Sequence, residues 1–173
     1  MLILLPLIVF ASDAEQAACP TAAPGATGAG KPEAQSLPQR LEAGPFYREM
    51  VRRFGKPLSC KLASSDGNVS VTYGFRGDAV LTGRTNEPIE SSEQKIELPR
   101  MARTKAIALL KAGEKDSYAP DGCGIDWEQP EEEADTRDPA SRDVIYRGDT
   151  CNCQARLKYR KGWVVSLILK SAC

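Results

Sequence analysis

Alternation of apolar and polar side chains near the C-terminus constrains the fold of this chain more than any other sequence feature. Apolar residues occupy every second position from Cys153 to Tyr159, and the alternation resumes from Trp163 to Leu169. A period of two is typical of a β-strand that buries one face. Gly162 lies between the two stretches and tolerates a left-handed turn conformation. The sequence therefore predicts a β-hairpin that closes over residues 160–162.

The predicted register of this hairpin brings its apolar side chains onto one face. Tyr159 would lie opposite Trp163. Leu157 would lie opposite Val165, because the residues of an antiparallel pair run in opposite directions. This face is therefore expected to belong to the core.

The other face of the hairpin carries cations and is the first candidate for a binding surface. Its basic residues are Arg156, Lys158, Arg160 and Lys170. Cations around aliphatic side chains would suit an acidic protein or a polysaccharide as the partner. Alternatively, a helix covers the aliphatic side chains and the long basic ones extend around its edge. The partner can also be intramolecular, because the acidic residues 128–143 lead directly into this face.

Two segments have the spacing of amphipathic helices. Residues 46–54 follow Pro45 and precede Gly55, which are typical residues for the first turn and for the end of a helix. Residues 103–115 repeat apolar side chains along one stripe. We therefore expect an α+β fold in which two helices pack on an antiparallel sheet built from hairpins.

A second hairpin and a short repeat complete the predicted fold. Val69 to Phe75 alternate as a strand, and Gly77-Asp78 turns the chain into residues 79–82. The segment FRGD that starts at Phe75 recurs as YRGD at residues 146–149. This recurrence is consistent with a fold that is a diverged tandem repeat.

The composition excludes several classes of active site. The chain has no histidine, which removes histidine-based nucleophile systems and histidine-ligated metals. Its 23 lysines and arginines balance 23 aspartates and glutamates, so no overall field points to nucleic acid or to a membrane surface. We predict no cofactor and no metal ion.

The N-terminus indicates export. Residues 2–11 form an apolar run of the length of a signal-peptide core, and small residues suited to cleavage follow it. We predict a signal peptide over residues 1–14, a flexible Ala/Pro/Gly-rich linker over residues 15–40, and a single domain over residues 41–173. The product would be secreted or periplasmic, with no transmembrane segment after signal removal. Lipid anchoring through Cys19 is the alternative.

An even number of cysteines in an exported chain predicts disulfides. The expected structural set is Cys60, Cys123, Cys151, Cys153 and Cys173. In the alternative, Cys151 and Cys153 form a thiol-redox pair, because the two lie two residues apart on one strand face.

A hydrolase without histidine would need a pair of carboxylates, one protonated and one ionised. The candidates are Glu87, Glu90, Glu93, Asp126 and Glu128. Taken together, the sequence favours an exported, disulfide-stabilised binding or inhibitor-like module without catalytic residues. A small extracytoplasmic carboxylate-dependent hydrolase is the alternative, followed by a thiol-redox protein.

Overall fold

Eight strands of the chain form one antiparallel sheet. The computed structural model describes residues 37–65, 67–86, 91–116, 124–136, 138–149 and 152–172. The elements follow in this order: α1 (Leu37–Ala43), α2 (Pro45–Phe54), β1 (Ser59–Ser65), β2 (Asn68–Gly74), a 3-10 turn (Arg76–Asp78), β3 (Val80–Asn86), β4 (Ser91–Met101), α3 (Arg103–Lys115), β5 (Glu131–Ala134), β6 (Ser141–Arg147), β7 (Gln154–Arg160) and β8 (Trp163–Ala172). The order across the sheet is β1-β2-β3-β4-β8-β7-β6-β5.

After α1, the chain passes twice through the same succession of helix and four strands. A helix leads into the meander β1 to β4, and a second helix leads into the meander β5 to β8. The last strands of the two meanders, β4 and β8, pair at the centre of the sheet. The two RGD tripeptides occupy equivalent places, since one follows β2 and the other closes β6.

Both RGD tripeptides turn the chain directly after a buried aromatic residue. Phe75 precedes the first, and Tyr146 precedes the second. In the first copy, Gly77 and Asp78 both adopt left-handed backbone conformations, with φ of 66° and 57°. The amide of Phe75 then donates to the carbonyl of Ala79, which closes the loop. The motif thus supplies the turn between two strands in this half.

The helices predicted from the sequence are confirmed. α2 begins at Pro45, and Gly55 ends it with a φ of 80° that an L side chain rarely adopts. α3 begins at Arg103, as its apolar stripe indicates. α1 begins at Leu37, inside the range predicted as a linker. The remainder of the predicted linker and the predicted signal peptide lie outside the described residues.

One hydrophobic core lies between the three helices and one face of the sheet. Each helix contributes to it, through Leu41 of α1, Met50 of α2 and Leu110 of α3. The strands contribute side chains that are in register across the ladder: Tyr73, Leu81, Ile96, Leu167, Leu157 and Val144. Because these residues share one strand parity, all three helices pack on the same side of the sheet.

The opposite side of the sheet, which we call the open face, is covered by none of the described α-helices. It is formed by the alternate residues of each strand, which read Ser70 and Thr72 in β2, Thr82 and Arg84 in β3, and Glu93 and Lys95 in β4. On β7 it carries Arg156 and Lys158. The open face is therefore mostly polar, as a solvent-exposed face of an antiparallel sheet is expected to be, although it includes Ile145 of β6 and Ile168 of β8.

The prediction of two helices on a hairpin sheet is wrong in the number of its elements. The described chain contains three α-helices and eight strands. Of β4 the sequence predicts only a short strand around Ile96 and Leu98, and it misses β1 and β5. The missed parts of β4 and β5 carry polar side chains where an apolar one would indicate a strand. Ser92 and Gln94 occupy core-facing positions at the start of β4, and β5 consists of Glu131–Ala134. Their backbone pairing, rather than their side-chain pattern, places them in the sheet.

The prediction of a disulfide-stapled fold is also wrong for the described chain. Cys60 lies in β1 and Cys153 directly precedes β7, with four strands between them in the sheet. At about 4.8 Å per strand, the two lie much farther apart than the about 7 Å between Cα atoms that a disulfide can span. Neither is a free thiol, but no disulfide joins two described residues. Cys123, Cys151 and Cys173 lie outside them.

The C-terminal hairpin forms as predicted, but with a shifted register. Its turn consists of Lys161 and Gly162, both with positive φ, so that Arg160 pairs with Trp163 and Tyr159 with Val164. A bulge follows in β8. The shift turns Trp163 outward, where 46% of it is exposed. A two-residue turn with left-handed conformations suits the twist of a hairpin better than the three-residue closure that the apolar pattern favoured.

We expect Gly83→Ala to destabilise the docking of α1. A Cβ at residue 83 would overlap the side chain of Leu41, so the free energy of unfolding should fall by about 1–3 kcal/mol. Chemical denaturation measures this change. Thr82→Ala, on the open face of the same strand, is the control and should leave stability nearly unchanged. In a Leu41→Ala background, Gly83→Ala should lower the free energy of unfolding by less. If it does not, the close approach of α1 to β3 is contradicted.

Glu49 should make stability depend on pH in the acidic range. Its carboxylate binds Arg52 of the same helix at 2.8 Å and Lys105 of α3 at 3.0 Å, so the second contact joins α2 to α3. The hydrogen bond from Arg52 lowers the pKa of Glu49 from 4.5. The stabilisation is therefore full above about pH 4.5 and is lost as the pH falls through the lower pKa of the folded state.

The matching experiment compares Glu49→Gln with the wild type by denaturation at several pH values. We expect a loss of about 0.5–1 kcal/mol at pH 7, because both basic partners are largely exposed. The difference should shrink below pH 4.5. A loss that is equal at pH 7 and pH 2.5 would show that the charge of Glu49 does not stabilise the helix pair.

Candidate functional site

The open face divides into two parts that differ in how their charges are neutralised. Strands β5, β6 and β7, which we call the ion-pair half, carry cations that bind carboxylates of the same chain. The pairs are Arg147–Glu131 at 2.9 Å, Arg156–Asp143 at 3.4 Å, Lys158–Asp135 at 2.9 Å and Arg160–Asp138 at 3.4 Å. This is the intramolecular partner that the acidic stretch before β6 led us to consider.

The loop between β5 and β6 is held in place by its own aspartates. Asp138 accepts hydrogen bonds from the hydroxyl of Ser141 at 2.8 Å and from the amide of Ala140 at 3.1 Å. These bonds lower the pKa of Asp138. On β7, the hydrogen bond to Asp135 raises the pKa of Lys158, so the ammonium stays charged. The loop is thus fastened to β7 at two points.

A buried isoleucine lies beneath these ion pairs. Ile145 belongs to the open face by its position in β6, yet it is fully buried and is not part of the main core. Glu131 and Arg156 are its partners on the adjacent strands. The two ion pairs that these residues make therefore border Ile145 on both sides. In this region the open face is closed by charged side chains rather than by a helix.

The four basic residues predicted to bind a partner do not form one cluster. Arg156, Lys158 and Arg160 belong to the ion-pair half. Lys170 lies in β8 and pairs with Glu93 of β4 at 2.9 Å. Each of the four already binds a carboxylate of the chain, so an external acidic group would have to compete with it. Their role in binding stays a prediction.

A cavity of about 560 Å³ occupies the other part of the open face. It lies where β1 to β4 and β8 end, and Asn152 of the loop before β7 closes one side of it. Most of its lining residues belong to the open face: Ala63, Ser65, Asn68, Ser70, Arg84, Asn86, Ser91, Glu93, Lys170 and Ala172. Its volume falls within the range of pockets that bind small ligands or side chains. We call it the strand-end pocket.

Charged residues cross the floor of the strand-end pocket in one row. Arg84 pairs in register with Glu93, and Glu93 pairs with Lys170 on the next strand. With strands about 4.8 Å apart, the backbones of the two cations lie about 10 Å from each other on either side of the carboxylate. Arg84 is exposed and makes no ion pair with a described residue. The row carries one net positive charge.

The rest of the pocket offers hydroxyl and amide groups. The amide oxygen of Asn86 accepts hydrogen bonds from the backbone and the hydroxyl of Ser91, at 2.7 and 3.0 Å. These bonds hold the ends of β3 and β4 together, so the pocket wall is fixed by the strands. None of the described lining residues is aromatic. Sequence reasoning missed Arg84 because the polar start of β4 concealed the strand that pairs with it.

The described carboxylates among those considered for a hydrolase lie in two separate places. Asp126 accepts the amide of Glu128 at 2.8 Å and so caps a turn, whereas Glu93 lies on β4 and binds Lys170. Glu87 and Glu90 lie outside the described residues.

Neither a metal site nor a complete thiol pair is found in the described chain. No group of three acidic or cysteine side chains is arranged to hold a metal ion among these residues. Of the C-x-C pair, Cys151 lies outside the described residues, and Cys153 is buried at the start of β7.

Comparison with protein-family models, with curated proteins and with solved structures gives no match for this chain. Of the helices that the structure describes, none is long and apolar enough to cross a membrane.

Asp135→Asn should loosen the loop from β7. The variant removes the carboxylate that binds Lys158, and since both side chains are partly exposed, we expect a loss of about 0.5 kcal/mol at low salt and less at 1 M salt. Denaturation at the two salt concentrations measures it. Glu133→Gln, which lines the same shallow cavity without an ion pair to a described residue, is the control. Equal effects of the two variants would contradict the fastening of the loop by Lys158.

Proposed function

We propose that the chain is an exported, inhibitor-like binding module. It acts by binding a partner and not by catalysis. Its open face receives an acidic region of a partner protein. The single observation that carries this proposal is the one-sided sheet: all three helices pack on one face, while the opposite face bears the strand-end pocket. The predicted signal peptide supports a secreted or periplasmic location, and lipid anchoring through Cys19 remains the alternative to a soluble product.

The size of the open face suits a protein partner. Eight strands span about 34 Å, and strands of about seven residues are about 23 Å long. The resulting area of about 800 Å² equals one partner's share of a standard protein–protein interface. A small molecule would occupy the pocket and leave most of this face in water.

The charges of the open face favour an acidic partner. In the part of this face outside the ion-pair half, Lys61 and Arg84 are exposed cations without an ion pair to a described residue. Serine and threonine side chains lie between them, at Ser70, Thr72 and Thr82. Unpaired cations attract an acidic surface, and short hydroxyl side chains allow it to approach closely.

An acidic protein fits the pocket better than a polysaccharide does. Sugar rings pack their C–H faces on aromatic side chains, and the described lining of the strand-end pocket has none. Its hydroxyl and amide groups instead match the backbone and the carboxylates of a polypeptide. Docking without catalysis is supported by the missing histidine and by the separation of Glu93 from Asp126 and Glu128.

The test uses the intact chain and poly-L-glutamate as the probe. We expect saturable binding that weakens with salt, and changes of NMR amide shifts concentrated in β2, β3 and β4. Thr82→Glu places an acid on β3 in the open face and should weaken binding about tenfold. Thr104→Glu, on the exposed side of α3, makes the same charge change and is the matched control.

Two results would overturn the proposal. Shift changes confined to α2 and α3 would move the binding surface to the helices. Tighter binding of oligogalacturonate than of poly-L-glutamate would replace the acidic protein with an acidic polysaccharide. Poly-L-lysine is the control for charge and should not bind to the open face.

A further inference from the structure

The strand-end pocket contains a carboxylate between two cations, and only one of the cations is bound to it. The ammonium of Lys170 lies 2.9 Å from Glu93, whereas Arg84 makes no ion pair with a described residue. The side chain of Lys170 is 48% exposed, and that of Glu93 is 23% exposed. A group that enters the pocket therefore reaches Lys170 and Arg84 more readily than it reaches Glu93.

We propose that the strand-end pocket is the anchor site for one aspartate or glutamate side chain of the acidic partner. This inference rests on the proposed function and deepens it. Arg84 and Lys170 bind the incoming carboxylate from two sides, and Glu93 is the internal group with which that carboxylate competes. The fork of Arg84 presents several donors at once, which suits a carboxylate with two oxygens.

The pocket differs from the ion-pair half in having room for such a group. In the ion-pair half, the carboxylates of Asp135 and Asp138 come from a loop that is itself held by hydrogen bonds. In the pocket, the competing carboxylate comes from β4 and faces an open volume of about 560 Å³. An incoming side chain displaces a single ion pair there, rather than a folded loop.

The surrounding groups suit the backbone of a polypeptide. Ser70 and Ser91 contribute hydroxyl groups to the lining, and Asn152 contributes an amide from the opposite side. A carboxylate bound between Arg84 and Lys170 would bring its own backbone toward these donors and acceptors. The pocket therefore offers contacts to an acidic side chain and to its peptide units. A free anion would make only some of these contacts.

Removing Glu93 should raise the affinity for an acidic probe, whereas removing either cation should lower it. Glu93→Gln takes away the competing charge, so poly-L-glutamate should bind about three- to tenfold more tightly at low salt. Arg84→Gln and Lys170→Gln should each weaken binding by about the same factor. Isothermal calorimetry on the intact chain measures all three.

Matched controls separate the pocket from the overall charge. Glu97→Gln adds the same charge on the same strand and frees Lys95, its partner at 2.7 Å, but it lies outside the pocket. Arg160→Gln removes a cation from the ion-pair half. Both controls should change the affinity less than twofold. Thermal unfolding checks that each variant keeps the fold. If Glu93→Gln does not fold, Arg84→Gln provides the test of the anchor.

The outcomes distinguish the anchor from the docking surface. Tighter binding by Glu93→Gln than by Glu97→Gln supports the anchor. Equal affinities of these two variants, with the wild type still binding, overturn the anchor and leave the acidic docking surface standing. If Arg160→Gln lowers the affinity more than Arg84→Gln does, the anchor lies in the ion-pair half and not in the pocket. Failure of the wild type to bind poly-L-glutamate overturns the proposed function and the anchor with it.

Discussion

The pairing of β4 with β8 is the interaction on which the rest of the structure depends. It joins the two meanders through an uninterrupted register from Ser91 opposite Ala172 to Glu97 opposite Ser166. Because side chains alternate along both strands, this ladder also aligns the two apolar faces, with Ile96 beside Leu167. A shift of one residue would turn one apolar face outward. The common core of the two halves and the single open face both follow from this register.

The same ladder explains why the charged row of the pocket exists at all. Glu93 and Lys170 come from different halves of the chain, and only the β4–β8 register brings them opposite each other. Arg84 joins them because β3 pairs with β4 one strand farther along. Neither half alone would hold two cations around one carboxylate. The pocket is therefore a property of the assembled sheet and not of any local motif.

The sequence predicts most strongly where apolar periodicity is complete, and it fails where polar residues face the core. The helices that begin at Pro45 and Arg103 and the strands of the C-terminal hairpin satisfy the pattern. The start of β4 does not, because Ser92 and Gln94 take positions that apolar residues normally fill. The alternation of Ile96 and Leu98 predicts only a short strand within β4, so neither the sheet order nor the partner of Lys170 can be inferred. The basic residues of β7 were recognised, but their internal carboxylates depend on contacts between strands.

Internal carboxylates also account for a sheet face that carries many cations in a chain without net charge. Unpaired cations on adjacent strands repel one another, so each long basic side chain of β7 is held beside an acid. The short edge strand β5 supplies further acids and, being charged, discourages pairing with another sheet. Neutralisation of this kind favours folding and opposes binding, because an external acid must first displace the internal one. A binding site is therefore expected where the internal acid faces an open cavity and a second cation makes no ion pair with a described residue. Arg84, Glu93 and Lys170 form such a place.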